Sequence, residues 1–212
     1  MNDAERTPER DPAGLADAGG PGAPRRPLRA DARRNRAKLL DVAEEVFAEK
    51  GTSASTEEVA RRAGVGIGTV FRHFPTKQDL LEAVFVARLR RAADRAHALG
   101  DAEDPGGAFY AFFTWLVRNA PEKNAFTEAL TAAGINVDDV TSPIKDDFRD
   151  AVGTLLGNAQ RAGAVRADIG FPEVITLLVG ASHAAGHPMA DEDSRARALD
   201  VVLDGLRPHG GG

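Results

Sequence analysis

Four polar residues of this sequence have side chains suited to binding a partner: Thr69, Arg72, His73 and Lys77. The spacing of the first three places them on one face of a short helix. An arginine can donate two parallel hydrogen bonds to guanine, and a threonine offers a hydroxyl and a methyl group to base edges. Histidine and lysine can reach phosphate oxygens. These residue types on one face therefore indicate a surface that binds double-stranded DNA.

Two short helices joined by a turn are predicted to position this surface. Ser55 and Glu58 stand three residues apart, so the hydroxyl and the carboxylate can each pair with one free amide at a helix start. Gly64 can adopt the left-handed conformation that ends this helix. A second helix then starts near Gly66, and Gly68 leaves its backbone bare enough for close approach to a partner. This order is the helix-turn-helix pattern.

The opposite side of the second helix is predicted to be buried. Its apolar residues recur at i, i+3, i+4 and i+7, which places them in one stripe. They are Ile67, Val70, Phe71 and Phe74. An earlier helix ends at Lys50 and Gly51, and its own stripe consists of Leu39, Leu40, Ala43, Val46 and Phe47. We expect the three helices to pack into one module.

Positive charge is concentrated in and before this module. Residues 25–90 contain 14 basic and 9 acidic side chains, whereas residues 91–212 contain 11 and 18, in a chain of net charge −5. The basic lead into the first helix consists of Arg25, Arg26, Arg29, Arg33, Arg34 and Arg36. We expect these arginines to lie along DNA phosphates or to enter the minor groove, and a solvated basic linker is the alternative.

Residues 64–77, with residues 56–60 before them, resemble the tetracycline-repressor (TetR) family of bacterial transcription regulators. The resemblance rests on the sequence Gly-Val-Gly-Ile-Gly-Thr-Val-Phe-Arg-His-Phe-Pro-Thr-Lys and extends over residues 31–81. Where the family commonly has a tyrosine, Phe71 lacks the hydroxyl that would donate to a phosphate. The predicted DNA-binding residues are Arg33, Ser55, Thr56, Gly66, Ile67, Gly68, Thr69, Phe71, Arg72, His73 and Lys77.

Composition and motifs divide the chain into four predicted regions. The first region has five prolines, four glycines and almost no large apolar residues, so it cannot offset its ordering entropy by burial. The regions are a disordered arm (1–29), a helix-turn-helix DNA-binding domain (30–76), a helical ligand-binding and dimerisation domain (77–208) and a tail (209–212).

The fold class is predicted to be all-α. Thr76 and Asp79 repeat the capping spacing and start a long helix, which in TetR-like proteins connects ligand state to the DNA-reading helices. No segment has a convincing strand pattern. Further helices are expected at 107–119, 122–133, 143–162, 172–187 and 193–206, each bounded by Pro, Gly, Asn or Asp.

A ligand cavity is predicted in the second domain, because five aromatic residues crowd one helix and are too many for a single buried face. The alternative is ordinary core packing. The predicted lining consists of Phe112, Phe113, Trp115, Leu116, Phe126, Phe148, Val152, Leu156 and His183. A hydrophobic or aromatic small molecule would suit such a lining.

A homodimer is predicted through the last two helices. The helix around Val179 is apolar nearly all round, so it needs cover on two sides, and its small residues would allow close approach of another helix. TetR-like proteins typically dimerise through these two helices as a four-helix bundle, and a monomer core is the alternative. The predicted interface consists of Leu178, Ala181, Ala184, Ala185, Leu199, Val202 and Leu206.

Two other classes of function remain as alternatives at this point. An enzyme has little support, since the chain has no cysteine, no serine in a glycine-flanked nucleophile pattern and no phosphate-binding glycine loop. A metal-responsive regulator of the same fold is the second, because His183 and His187 stand four residues apart on one helical face. Two ligands are too few for a metal site, so no metal and no cofactor is predicted.

Neither a membrane span nor a secretory signal is predicted. The longest apolar run, residues 108–117, is broken by Thr114 and is far shorter than the roughly 18 residues that a span needs. The N-terminal region has no apolar run after a basic start. We therefore expect a soluble, cytoplasmic regulator that binds an operator of two-fold symmetry. The family likelihood favours a repressor released from DNA by a small ligand.

Overall fold

A computed structural model describes residues 25–185 and 191–208. Every regular element in these two ranges is helical, which confirms the all-α prediction. The helices are α1 (Arg25–Lys50), α2 (Thr56–Ala63), α3 (Ile67–His73), α4 (Lys77–Leu99), α5 (Pro105–Arg118), α6 (Ala120–Ala132), α7 (Val137–Arg161), α8 (Phe171–Ala185) and α9 (Glu192–Gly205), with one 3-10 turn at Gly51–Ser53.

Side-chain caps start α2 and α4, the helices on either side of α3. The Thr76 hydroxyl accepts a hydrogen bond from the Asp79 amide at 3.0 Å, and the Asp79 carboxylate accepts one from the Thr76 amide at 2.9 Å. Ser55 likewise accepts from the Glu58 amide at 3.2 Å. The reciprocal half of that second cap does not form, because the Glu58 carboxylate pairs with Lys50 and Arg62. Charged partners attract a carboxylate more strongly than a neutral amide does.

Two helix starts differ from the sequence prediction. Helix α1 begins at Arg25, so residues 25–29 of the predicted disordered arm are helical. Arginine and leucine in this stretch favour a helix, and its proline, Pro27, lies in the first turn, where proline is tolerated. Residues 1–24 lie outside the described residues. Helix α7 begins at Val137 rather than at Pro143, since the Asn136 side chain caps the Asp138 amide at 3.0 Å. The described ends of the other predicted helices agree within two residues.

Two hydrophobic cores hold the described helices together. The first unites α1, α2, α3 and the start of α4 with α6, whose Phe126 packs edge-on against Phe47 with ring centroids 5.8 Å apart. The second lies between the end of α4, α5, α7 and α8, and Leu206 after α9 completes it. Helix α4 therefore belongs to both cores, and the predicted domain boundary between residues 76 and 77 does not separate two packing units.

A partly buried ion-pair network joins α1 to the second domain. Arg88 of α4 donates to Glu44 of α1 at 2.5 Å and to the carbonyl oxygen of Asn119, at the end of α5, at 3.0 Å. Its guanidinium lies 5.6 Å from the centre of the Phe126 ring. Arg91 also pairs with Glu44. Movement of α5 or α6 would therefore disturb contacts that hold α1 in place.

None of the helices in residues 25–185 and 191–208 combines the length and the apolar character that crossing a membrane needs.

Candidate nucleic-acid interface

The turn between α2 and α3 is determined by its glycine. Thr56, Val59, Ala60 and Ala63 form the buried stripe of α2. Gly64 then adopts φ 71°, the left-handed conformation, and the next amide, that of Val65, donates back to the Ala60 carbonyl at 3.0 Å. A side chain at position 64 would be strained in this conformation. The glycine therefore sets the direction in which α3 leaves the turn.

Helix α3 buries only part of its predicted apolar stripe. Val70 and Phe74 are 0% and 2% exposed, whereas Ile67 and Phe71 are 38% and 43% exposed. The prediction that all four are buried is therefore wrong for Ile67 and Phe71. Each residue turns the helix by about 100°, so the stripe is wider than the surface that the first core covers. Two large apolar side chains are left at the surface of the module.

The exposed face of α3 is organised in rows of residues spaced i and i+4, which are neighbours on a helix surface. A methyl group added at Gly68 would meet no atom of the described structure within 4 Å, and the same holds for Gly66. The backbone is thus open on this side. The three rows are Ile67 with Phe71, Gly68 with Arg72, and Thr69 with His73.

The other predicted DNA-binding residues differ in accessibility. Arg33 and Lys77 are exposed, and Ser55 is half-buried with its hydroxyl accepting the α2 cap. Thr56 is only 6% exposed, so little of its surface is left for the predicted DNA contact. It belongs to the buried stripe of α2, and its hydroxyl donates to the Glu57 carboxylate at 3.5 Å.

Some basic side chains of the module are paired with carboxylates, and others have no such partner in the described structure. Arg62 pairs with Glu49 and Glu58, and the hydrogen bond from Lys50 is the main cause that lowers the pKa of Glu58 below its ordinary value. By contrast, Arg33 and Arg72 have no ion-pair or hydrogen-bond partner within residues 25–185 and 191–208. Their charge is free to meet an anion.

Arg36 has a structural role that its place in the arginine cluster did not reveal. Its guanidinium lies 5.1 Å from the centre of the Phe74 ring, a cation–π distance, and so holds α1 against the end of α3. Sequence spacing could not identify this contact, since the two residues are far apart in the chain.

Comparison with known proteins agrees with this arrangement. Residues 39–84 match the family model described as bacterial regulatory proteins of the tetR family, and residues 104–208 match the C-terminal domain of SbtR-like transcriptional regulators. A TetR transcription regulatory protein from Mycobacterium vanbaalenii, known from its crystal structure, is 42% identical. The match covers 85% of this chain and 99% of that one with a TM-score of 0.72. The chain belongs to the TetR family.

Two further relatives of this TetR-family chain support the same assignment. A TetR transcriptional regulator from Streptomyces coelicolor is 34% identical, over 82% of this chain and 99% of that one, with a TM-score of 0.68. The HTH-type transcriptional regulator UidR of Escherichia coli is 22% identical over 84% of this chain and 96% of its own length. The predicted resemblance is thus confirmed. The chain is a DNA-binding transcription regulator, and members of the family are not enzymes.

The residues predicted to line a ligand cavity divide between the two cores of the TetR-family chain. Phe126 lies in the first core, so its placement beside the others is wrong. His183 is exposed. Four of the remainder are buried in the second core and three pack partly buried against it: Phe112, Phe113, Val152 and Leu156, then Trp115, Leu116 and Phe148.

A cavity of about 590 Å³ lies elsewhere, between α1, α4 and α7. Leu40, Val86 and Val140 contribute apolar surface to it, and Arg90 and Asp94 contribute charge. None of the nine predicted lining residues borders this cavity. It adjoins the DNA-binding module through α1, a location that the aromatic pattern did not predict.

The residues predicted to form the dimer interface differ in how much of their surface a single chain leaves exposed. Leu178 and Leu206 are 7% and 0% exposed within a single chain, so they belong chiefly to its own second core. Ala184 is exposed, whereas Ala181, Leu199 and Val202 are partly buried against the second core; the side chain of Ala185 is outside the described set. The large apolar side chains that these helices expose are Leu177, Val179 and Val201.

The predicted histidine pair is only half described. His183 is exposed, and its Nδ1–H donates to the Val179 carbonyl at 2.9 Å, since a carbonyl can only accept. His187 lies in residues 186–190, outside the described residues. Within the described ranges, no three His, Cys, Asp or Glu side chains are grouped so that they could hold a metal ion.

Proposed function

We propose that this TetR-family chain is a homodimeric repressor that acts in the cytoplasm. Two copies of α3 read an operator of two-fold symmetry, and a small hydrophobic or aromatic ligand in the second domain releases the DNA. The observation that carries the proposal is the exposed face of α3, where an Arg72 without a partner in the described structure stands beside the bare backbone of Gly68.

Base reading is assigned to Arg72 and, to a smaller extent, Thr69. Arg72 projects from the exposed row next to Gly68, so the helix backbone can approach the groove while the guanidinium donates to a guanine edge. Lys77, the first residue of α4, contacts phosphate, as does Arg33 on α1. This division separates the residues that determine sequence preference from those that only strengthen binding.

Dimerisation is assigned to the exposed side of α8 and α9. Leu177, Gly180 and Ala184 follow one another at helical spacing and are all exposed, with Leu177 at 40%. Val201 on α9 is 71% exposed. A symmetric interface buries the same surface on both copies, and small residues let the helices approach closely. Two reading helices then meet major-groove sites about 34 Å, or a multiple of that distance, apart.

We place the binding site of the effector at the aromatic side of the second core. Trp115 is half-buried there, stacks on Phe112 at 6.2 Å, and has the Arg95 guanidinium 4.8 Å from its ring centre. A ligand that opens this packing would move α5, whose end is tied through the Asn119 carbonyl and Arg88 to Glu44 of α1. To release DNA, the ligand must bind the conformation that fits DNA poorly more tightly, with a coupling of about 1–3 kcal/mol.

The test measures binding of the dimer to DNA from upstream of its gene, by fluorescence anisotropy over a range of salt concentrations. Arg72→Ala should reduce the preference for operator over scrambled DNA by about 1–3 kcal/mol. Lys77→Ala should weaken both DNAs alike and reduce the salt slope by about one unit. Equal salt slopes for the wild type and Lys77→Ala would refute the phosphate assignment, and absence of any operator preference would refute the reading role of α3.

A further inference from the structure

Ile67 and Phe71 form an apolar row on the exposed face of α3. They are 38% and 43% exposed and stand four residues apart, next to the row that carries Arg72. The other large hydrophobic side chains that are exposed in the described structure lie on α8 and α9. Leaving apolar area in water forfeits about 25 cal/mol for each Å². An apolar row on this face of α3 indicates that the partner carries apolar groups where it meets Ile67 and Phe71.

The major groove of DNA has one apolar feature among its hydrogen-bonding groups. This feature is the C5-methyl group of thymine, and side chains contact it through apolar atoms. A methylated cytosine carries a methyl group at the same ring position. Phosphates and the remaining base edges are polar and would leave an isoleucine or phenylalanine without a matching contact.

The open backbone of α3 at Gly68 allows the apolar row to approach the base edges closely. Apart from its own turn of helix, no atom of the described structure lies within 4 Å of a methyl group added at Gly68, so the backbone can come close to the base edges. Residues four apart on a helix are separated by about 6 Å along its axis. Bases are spaced about 3.4 Å apart along a strand. Ile67 and Phe71 are thus spaced for methyl groups about two base pairs apart.

We propose, on the premise of the DNA-binding function above, that Ile67 and Phe71 read C5-methyl groups of pyrimidines, with thymine as the natural source. Each operator half-site then carries two thymines beside the base pair that Arg72 contacts. Phe71 is suited to this role because it has no hydroxyl group that would need a hydrogen-bonding partner. The apolar row makes sequence preference depend on methyl groups as well as on hydrogen bonds.

The test replaces single thymines of the operator by deoxyuridine, which removes the methyl group and keeps Watson–Crick pairing. At two positions in each half-site, the affinity of the wild type should fall roughly fourfold for each methyl group removed. This is the change expected from the loss of one buried CH₂ group. Ile67→Ala should bind thymine and deoxyuridine equally at one of these positions, and Phe71→Ala at the other. Thr131→Ala, at an exposed position of α6 away from the reading helix, is the control and should keep both preferences.

The outcomes separate the inference from the function on which it depends. Specific operator binding that is indifferent to every thymine replacement would overturn the methyl-reading role while leaving the DNA-binding function intact. A thymine preference that persists in both alanine variants would overturn it as well. Loss of all operator preference in the wild type would instead refute the proposed function. In a second series, cytosine is replaced by 5-methylcytosine. Tighter binding there, without a thymine preference, would identify methylated cytosine as the source of the methyl group.

Discussion

Replacing Gly68 by alanine should change the stability of the protein and its affinity for DNA in opposite directions. A methyl group at this position meets no atom of the described structure within 4 Å, and the residue lies inside α3. Glycine within a helix costs roughly 0.5–1 kcal/mol relative to alanine. The variant should therefore be more stable by up to this amount, which in a chain of this size raises Tm by about 1–4 °C.

Binding to DNA should weaken because the added methyl group occupies the space through which the backbone approaches the groove. If it holds α3 away from the base edges, the Arg72 contact lengthens and its discrimination of about 1–3 kcal/mol is lost in part or in full. The dissociation constant for the operator should then rise by roughly 5- to 150-fold. Binding to scrambled DNA should change much less, since phosphate contacts from α1 and α4 do not depend on this depth.

The matched control is Gly153→Ala, at a glycine inside α7 where an added methyl group also meets no described atom within 4 Å. Thermal unfolding followed by circular dichroism should show a similar gain in stability for both variants. Fluorescence anisotropy with operator DNA should show weaker binding for Gly68→Ala alone. An operator affinity of Gly68→Ala equal to that of the wild type would refute close approach of the α3 backbone to DNA.

Three further predictions follow from the same structure. Ala184→Arg, at an exposed position, should leave the chain folded but convert the proposed dimer to a monomer in light scattering; an unchanged dimer would move the interface elsewhere. Phe113→Ala should alter effector affinity while sparing the DNA affinity of the ligand-free protein, provided that the chain tolerates a core loss of about 3–5 kcal/mol. Emission of Trp115 that no releasing compound changes would place the effector outside the aromatic core. The pKa of Glu58 is lowered from its ordinary value of 4.5, chiefly by Lys50, so its stabilising effect is present above about pH 4.5 and is lost as pH falls through the folded-state value. The difference in urea midpoint between wild type and Glu58→Gln should therefore shrink in acid, and a constant difference between pH 7 and pH 3 would contradict this.

Local signals in the sequence determined most of the helix boundaries and the turn between α2 and α3. The Ser55 cap, the Thr76 and Asp79 capping box and the left-handed Gly64 involve residues at most a few positions apart. Their chemistry is therefore complete within the stretch that carries it. The two helices around the Gly64 turn and the exposed position of Arg72 could be predicted for the same reason.

Side-chain burial was decided only by the tertiary structure. Periodicity places Ile67, Phe71 and Thr56 on helix faces, but it does not tell how wide a surface the neighbouring helices cover. The structure leaves the first two exposed and buries the third. It also assigns Phe126 to the core of the DNA-binding module and Leu206 to the interior of a single chain.

The division follows from the range of the interactions. A cap or a glycine turn depends on hydrogen bonds and backbone conformations within one or two turns of chain, which the sequence specifies directly. Which helix covers an apolar stripe depends on contacts such as Phe47 with Phe126 and Arg36 with Phe74, between residues far apart in the chain. Hydrophobic burial is non-directional, so many pairings of the same stripes satisfy it. Only the packed structure selects the pairing that leaves Ile67 and Phe71 on the surface proposed to meet DNA.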